Sequence, residues 1–140
     1  MSDPHAEPLR RGVVAVIRRA EKFLVIRRSA HVEAPGSYCF PGGRIEDGET
    51  EVQALERELQ EELGCRLEPL IRVWQSVTPW QVSLAWWSVS WGSERELRPH
   101  PQEVESVHWL TAEELQALPE LLVSNRHFLQ AWRSGQFTLD

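Results

Sequence analysis

The sequence predicts an α+β domain in which a mixed β-sheet lies between helices. Short apolar runs rich in β-branched residues come first, one long segment of helical period follows, and further strands and then helices complete the order. The chain has 140 residues, 41% hydrophobic and 26% charged, which suits one globular domain. No apolar run approaches the roughly 20 residues that a membrane-spanning helix needs.

Residues 1–11 read as a polar lead-in, with Asp3 and Glu7 where a secretion signal would have an apolar core. Residues 12–140 read as a single domain. Val13 to Ile17 and Phe23 to Ile26 are predicted as paired strands, turning through Arg18 to Lys22. Ser29 to Ser37 reads as a loop, Tyr38 to Phe40 as a short extended piece, and Gly42-Gly43 as a turn. Glu51 to Leu63 is the clearest helix: Val52, Leu55, Leu59 and Leu63 form one stripe, Thr50 and Gln53 fit a capping box, and Gly64 is the stop. Leu67 to Val77 and Gln81 to Trp91 are predicted strands around a Thr78-Pro79-Trp80 turn. Glu94 to Gln102 reads as a charged loop and Val104 to Leu110 as a strand. Thr111 with Glu114 caps a short helix, and Glu120 to Arg133 reads as the last one.

Charge is concentrated. Residues 46–62 hold eight acids and one base, a balance of −7, whereas the whole chain carries −6. One segment accounts for the acidity, and the remainder lacks the basic face that coating a nucleic-acid duplex requires. Cys39 and Cys65 form no CxxC motif and no metal-like array, which fits a reducing, cytoplasmic setting.

Within the acidic segment Glu58 and Glu62 stand about 40° apart on the helix, one turn above each other and beside the apolar stripe. Such a pair costs an isolated helix a few tenths of a kcal/mol, roughly, and partial burial adds to the repulsion. A bound divalent cation would compensate, and an all-oxygen ligand set suits magnesium or manganese. A solvated glutamate face is the plain alternative. Against it stand the placement beside the stripe, Arg57 four residues before Glu61, and the glycine pair near the helix start.

Gly43, Glu49, Arg57, Glu58, Glu61, Glu62 and Gly64 match all seven fixed positions of a 23-residue pattern, and on these the segment resembles the Nudix box. Cys65 stands where that family usually has a bulky aliphatic. The element order resembles the Nudix fold, an α/β/α sandwich. The resemblance implies hydrolysis of a nucleoside diphosphate linked to another group, with Mg2+ or Mn2+. It implies Glu58, Glu61 and Glu62 as metal ligands, with the Gly42 carbonyl as a further one. Arg57 and Glu49 would orient those carboxylates. The base that takes the proton of the attacking water lies in the box or on a later loop in this family. Glu103 is the candidate outside the box and Glu105 its rival.

Substrate choice lies outside the box. The arrangement resembles the MutT branch, which hydrolyses nucleoside triphosphates, oxidised guanine nucleotides among them. By that likeness Arg28 would contact phosphate or base, Phe40 the base, and Asn125 a purine edge. Each also fits a plain place: a surface strand for Arg28, the core for Phe40, a solvated helix for Asn125. Pro79 resembles a proline of ADP-ribose-hydrolysing members, which leaves an ADP-ribose or nucleotide-sugar pyrophosphatase as the competing enzyme. A domain that only senses a nucleotide is the alternative of another class, and retention of every box glutamate speaks against it. The expected partner is a small nucleotide, with no duplex and no membrane, and the chain would act as a monomer or homodimer.

Overall fold

The computed structural model describes residues 10–92 and 96–139. In chain order it contains β1 (Arg10–Arg19), β2 (Lys22–Arg28), β3 (Tyr38–Cys39), β4 (Gly42–Arg44), α1 (Glu51–Leu63), β5 (Glu68–Val77), β6 (Val82–Ser90), β7 (Val104–Thr111), α2 (Ala112–Gln116) and α3 (Val123–Arg133).

β1 is the hub. It runs parallel to β6 from Arg10↔Val82 to Ile17↔Val89, and antiparallel to β4 through Gly12↔Arg44 and Val14↔Gly42. β5 closes this leaf on the outer side of β6. β2 leaves β1 after two pairs at the turn, Arg18↔Phe23 and Arg19↔Lys22, and builds a second leaf with β3 and β7. The predicted pairing of the first two strands is thus confined to the turn, because each strand is claimed by other neighbours beyond it.

Val13 to Ile17 is apolar at every position because both faces of β1 are covered. Val13, Ala15 and Ile17 pack with Leu55, Leu59 and Leu63 of α1. Val14 and Val16 pack with Phe128 and Leu129 of α3. On that second side Trp86 stacks on Phe128 with ring centroids 4.6 Å apart. Trp87 packs on the α1 side instead, its Nε1 donating to Glu51 Oε1 at 2.8 Å.

Helix α1 has the predicted bounds. Thr50 Oγ1 accepts from Gln53 N at 3.1 Å, Gln53 Oε1 accepts from Thr50 N at 2.9 Å, and Gly64 closes the helix at φ 65°. Three predictions shift. Gly42 and Gly43 are not a turn but the first residues of β4. β1 begins at Arg10, so Arg10 and Arg11 of the expected lead-in are in the sheet, while residues 1–9 lie outside the described residues. α3 begins at Val123 rather than Glu120: the chain leaves a turn at Glu120 and bridges to β3 at Leu121, with Tyr38 N donating to Glu120 O and Leu122 N to Tyr38 O. The expected loop 94–102 falls partly on residues outside the description.

Candidate active site

Gly43 lets the acidic face of α1 lie against the sheet, and Gly42 lets β4 lie close on β1. A Cβ on Gly43 would fall into the Glu58 carboxylate, and one on Gly42 would collide with the Val13 carbonyl. The N–H of Gly42 donates to Glu62 Oε1 at 2.9 Å. Glu62 is 5% exposed, and burial, reinforced by the charge of Glu58, pushes its carboxyl well above the usual range against the pull of that amide. Glu58 is raised to about 6, chiefly by burial, with the hydrogen bond and charge of Arg57 opposing. Glu61 lies on the outer side of the helix, its side chain 48% exposed.

Arg57 ties the helix to the segment before it. Its Nε and Nη2 hold the two oxygens of Glu49 at 2.8 and 2.9 Å. Nη1 donates to Glu58 Oε1 at 2.9 Å and Glu61 Oε2 at 3.3 Å, and Nη2 also reaches the Arg44 carbonyl at 2.8 Å. The forked guanidinium matches this demand as an ammonium would not. Hydrogen bonding from Arg57, aided by the Glu46 amide, brings the Glu49 carboxyl down to about 2.

Glu103 enters from the turn before β7. That turn is fixed by its backbone: Glu103 N donates to His100 O and Ser29 N to Glu103 O, each at 3.0 Å. Its Oε2 is buried with no hydrogen-bond partner among the described residues, and its charge contributes to the raised carboxyls of both Glu58 and Glu62. Glu105 instead pairs with Arg27 at 3.2 Å, its side chain 56% exposed. Among the described residues no group of three or more His, Cys, Asp or Glu side chains is assembled as a closed metal cluster. Glu58 and Glu61 are instead drawn toward Arg57.

A cleft of about 230 Å³ opens between β1, β4, β6 and the start of α3, and Arg28, Phe40 and Asn125 all line it. Arg28 Nε donates to the Glu33 carbonyl at 2.6 Å, and the Arg28 charge is felt at Glu62. The Phe40 ring is in the core, stacked on Phe23 at 5.3 Å and edge-on to Phe128 at 5.5 Å. Asn125 is buried: Oδ1 accepts from Phe40 N at 2.9 Å and Nδ2 donates to Ser124 Oγ at 3.2 Å, so its carbonyl is already engaged by the backbone. Cys39 also lines the cleft, and burial pushes its thiol up to about 12. Sequence reasoning missed Arg10, Gly12 and Arg44 in this lining. Strand alternation is the signal that finds them, since Arg10, Gly12 and Val14 share one face of β1 and Arg44 pairs with Gly12.

A sheet held between α1 and α3, with a carboxylate-bearing helix docked on a glycine strand, defines an α/β/α sandwich with an acidic site beside a basic cleft. The NUDIX domain model matches residues 8–132, and the chain belongs to the Nudix hydrolase family. The chain is 27% identical over 128 residues to the NAD-capped RNA hydrolase NudC of Stutzerimonas stutzeri, covering 91% of this chain and 46% of that protein. It is 46% identical over 52 residues to the CTP pyrophosphohydrolase of Escherichia coli, covering 37% of this chain and 38% of that protein. The chain spans less than half the length of these curated relatives. Among solved structures, a MutT protein from Methanosarcina mazei superposes with a TM-score of 0.73 at 22% identity, over 89% of this chain and 92% of that one. The solution structure of the E. coli ORF135 protein gives 0.68 at 26% identity, over 92% and 91%. No helix among the described residues is long and apolar enough to cross a membrane.

Proposed function

We propose that the chain is a divalent-cation-dependent pyrophosphohydrolase that cleaves a nucleoside triphosphate to the monophosphate and pyrophosphate. The observation that carries this reading is the orphaned, buried Oε2 of Glu103, whose charge is felt at Glu58 and Glu62 on α1. Neighbouring carboxylate charges that raise the pKa of buried Glu58 and Glu62, with one buried oxygen lacking a donor among the described residues, fit a hard cation. Glu58, Glu61 and Glu62 would hold it, with the Gly42 carbonyl and Glu103 as neighbours. Mg2+ or Mn2+ bound there supplies neutralisation of the diphosphate and acidification of water.

The remaining work falls to the chain itself. Arg57 and Glu49 fix the carboxylate rotamers, and the Gly42 amide orients Glu62. Glu103 is the acceptor proposed for the proton of the attacking water, a role that its unpartnered oxygen suits. Arg28 meets the phosphate chain. Asn125 acts in the cleft through its amide group and through the Phe40 backbone that it holds. Oxidised purine triphosphates are included in the class: the 8-oxo-dGTP diphosphatase of E. coli is 46% identical over 52 residues, 36% of this chain.

A second reading has its own support. The NudC alignment covers 91% of this chain, whereas the triphosphate-cleaving relatives align over little more than a third. That extent favours a diphosphate linking a nucleoside to a second moiety, as in ADP-ribose or a nucleotide sugar. A panel of triphosphates, ADP-ribose, nucleotide sugars and dinucleoside polyphosphates in Mg2+ separates the two by kcat/KM. A triphosphate should lead. ADP-ribose ahead by tenfold, about 1.4 kcal/mol in the barrier, would replace the first reading with the second. Tight nucleotide binding without turnover in any metal would leave only a sensor.

A further inference from the structure

We infer that Ser29 is a positioning residue for Glu103: it grips the peptides on both sides of the Glu103 Cα and so aims that carboxylate at the acidic helix. This rests on the reading of Glu103 as the acceptor of the water proton.

Three polar or charged residues are buried among the described residues: Glu62, Asn125 and Ser29. The first two belong to the acidic site and the cleft. Ser29, 4% exposed, directly follows β2. Its N–H donates to the Glu103 carbonyl at 3.0 Å, and its Oγ donates to the Gln102 carbonyl at 2.7 Å. The Gln102 carbonyl shares a rigid peptide plane with the Glu103 N–H. One residue therefore holds the plane before the Glu103 Cα and the plane after it. Oγ also accepts from His31 N at 3.2 Å, which leaves its proton for Gln102.

Strand register shows why such a grip is needed. Arg27 pairs with Ser106 and Arg28 with Val104, so Glu105 is the extra residue of a bulge in β7. In an unbroken strand Glu103 and Glu105 would point to the same side. With the bulge, Glu105 reaches Arg27, and Glu103 buries Oε2 with no hydrogen-bond partner among the described residues. With that oxygen unheld, the aim of the side chain comes from its backbone. The other end of the segment is tied to the helix, where Arg98 N donates to the Leu63 carbonyl at 2.7 Å and His100 N to the Glu62 carbonyl at 3.0 Å. The chain from Arg98 to Glu103 thus runs from the end of α1 to the end of β2, and Ser29 sets where it lands.

Ser29→Ala removes the hydroxyl and keeps the backbone bond. Hydrogen exchange of the full chain in chelator, followed by mass spectrometry, should show residues 98–104 exchanging roughly tenfold faster, with residues 51–63 unchanged. In Mg2+, with the compound that leads the nucleotide panel, kcat should fall about tenfold while KM stays within about twofold, because the base is misplaced and the bound substrate is not. In a Glu103→Gln background the same substitution should change kcat by less than about threefold, since no base remains to be aimed. An equal factor in both backgrounds, a raised KM at unchanged kcat, or unaltered exchange of residues 98–104 overturns the role of Ser29 and leaves Glu103 in place. Loss of protection that extends through α1 does the same, because Ser29 would then support the whole fold. Full kcat in Glu103→Gln alone, or no turnover of any panel compound, overturns the proton-acceptor reading and the positioning role with it.

Discussion

The N–H of Gly42 on β4 donates to Glu62 Oε1 on α1 at 2.9 Å, and this one bond joins the glycine strand to the buried end of the acidic helix. Glu62→Gln keeps a carbonyl oxygen for that amide and removes the charge. It should fold, melt no lower than the unaltered protein when divalent ions are chelated, and lose roughly a hundredfold or more in kcat/KM. Full activity in this variant would remove Glu62 from the metal site.

Gly43 leaves no room for a side chain beside Glu58. Gly43→Ala should cost about 1–3 kcal/mol by denaturant titration, since a buried carboxylate must shift to admit the methyl group. Activity should fall with it. An alanine variant of unchanged stability would show that Glu58 yields freely.

Arg57 gathers Glu49, Glu58 and Glu61. The Glu49 carboxyl is lowered to about 2 in the folded chain, so its contribution to stability is present above its unfolded pKa near 4.5 and is lost as pH falls toward 2. Arg57→Gln should abolish that contribution, lowering the melting temperature at pH 6 and flattening its decline below pH 4.5. An acid limb identical to that of the unaltered protein would contradict the pairing.

Glu58 titrates in the opposite sense. Its folded pKa of about 6 exceeds the unfolded value of 4.5, so the stability it lends is present below pH 4.5 and lost as pH rises through 6. Burial of Glu62 acts in the same direction. In chelator the melting temperature should therefore drop between pH 4.5 and 7, and Mg2+ should restore it above pH 6. Glu58→Gln should flatten the chelated profile. A chelated profile that rises across this window would sink the account.

Asn125 Oδ1 holds the Phe40 amide inside the protein. Asn125→Leu strands that N–H and should cost about 1–3 kcal/mol. Asn125→Asp keeps the acceptor and should cost less, so substrate discrimination by the two variants separates support of Phe40 from direct contact with a base. Equal stability of both variants would remove the supporting role.

Local chemistry was legible where it stays local. The helix Glu51–Leu63, its Thr50 cap and its Gly64 stop follow from side chains within one turn of each other, and the structure reproduces them residue for residue. The pairing of Arg57 with Glu61 follows from helical spacing in the same way. The different surroundings of Glu103 and Glu105 did not, because they depend on which way a turn anchored by His100 and Ser29 aims the chain. The start of α3 differs for a similar reason: residues 120–122 look helical in isolation, and backbone hydrogen bonds to Tyr38 keep them out of the helix.

The sequence by itself determined which residues are acidic, which face of α1 is apolar, and the family pattern that runs from Gly43 to Cys65. Only the tertiary structure decided that Gly42 would meet Glu62, that Glu103 would bring an unpartnered oxygen into the field of two helix carboxylates, and that Arg10 and Arg44 would share a cleft with Asn125. These are contacts between segments far apart in the chain. They are set by strand register and by what each close approach excludes, and neither is written in the spacing of neighbouring residues.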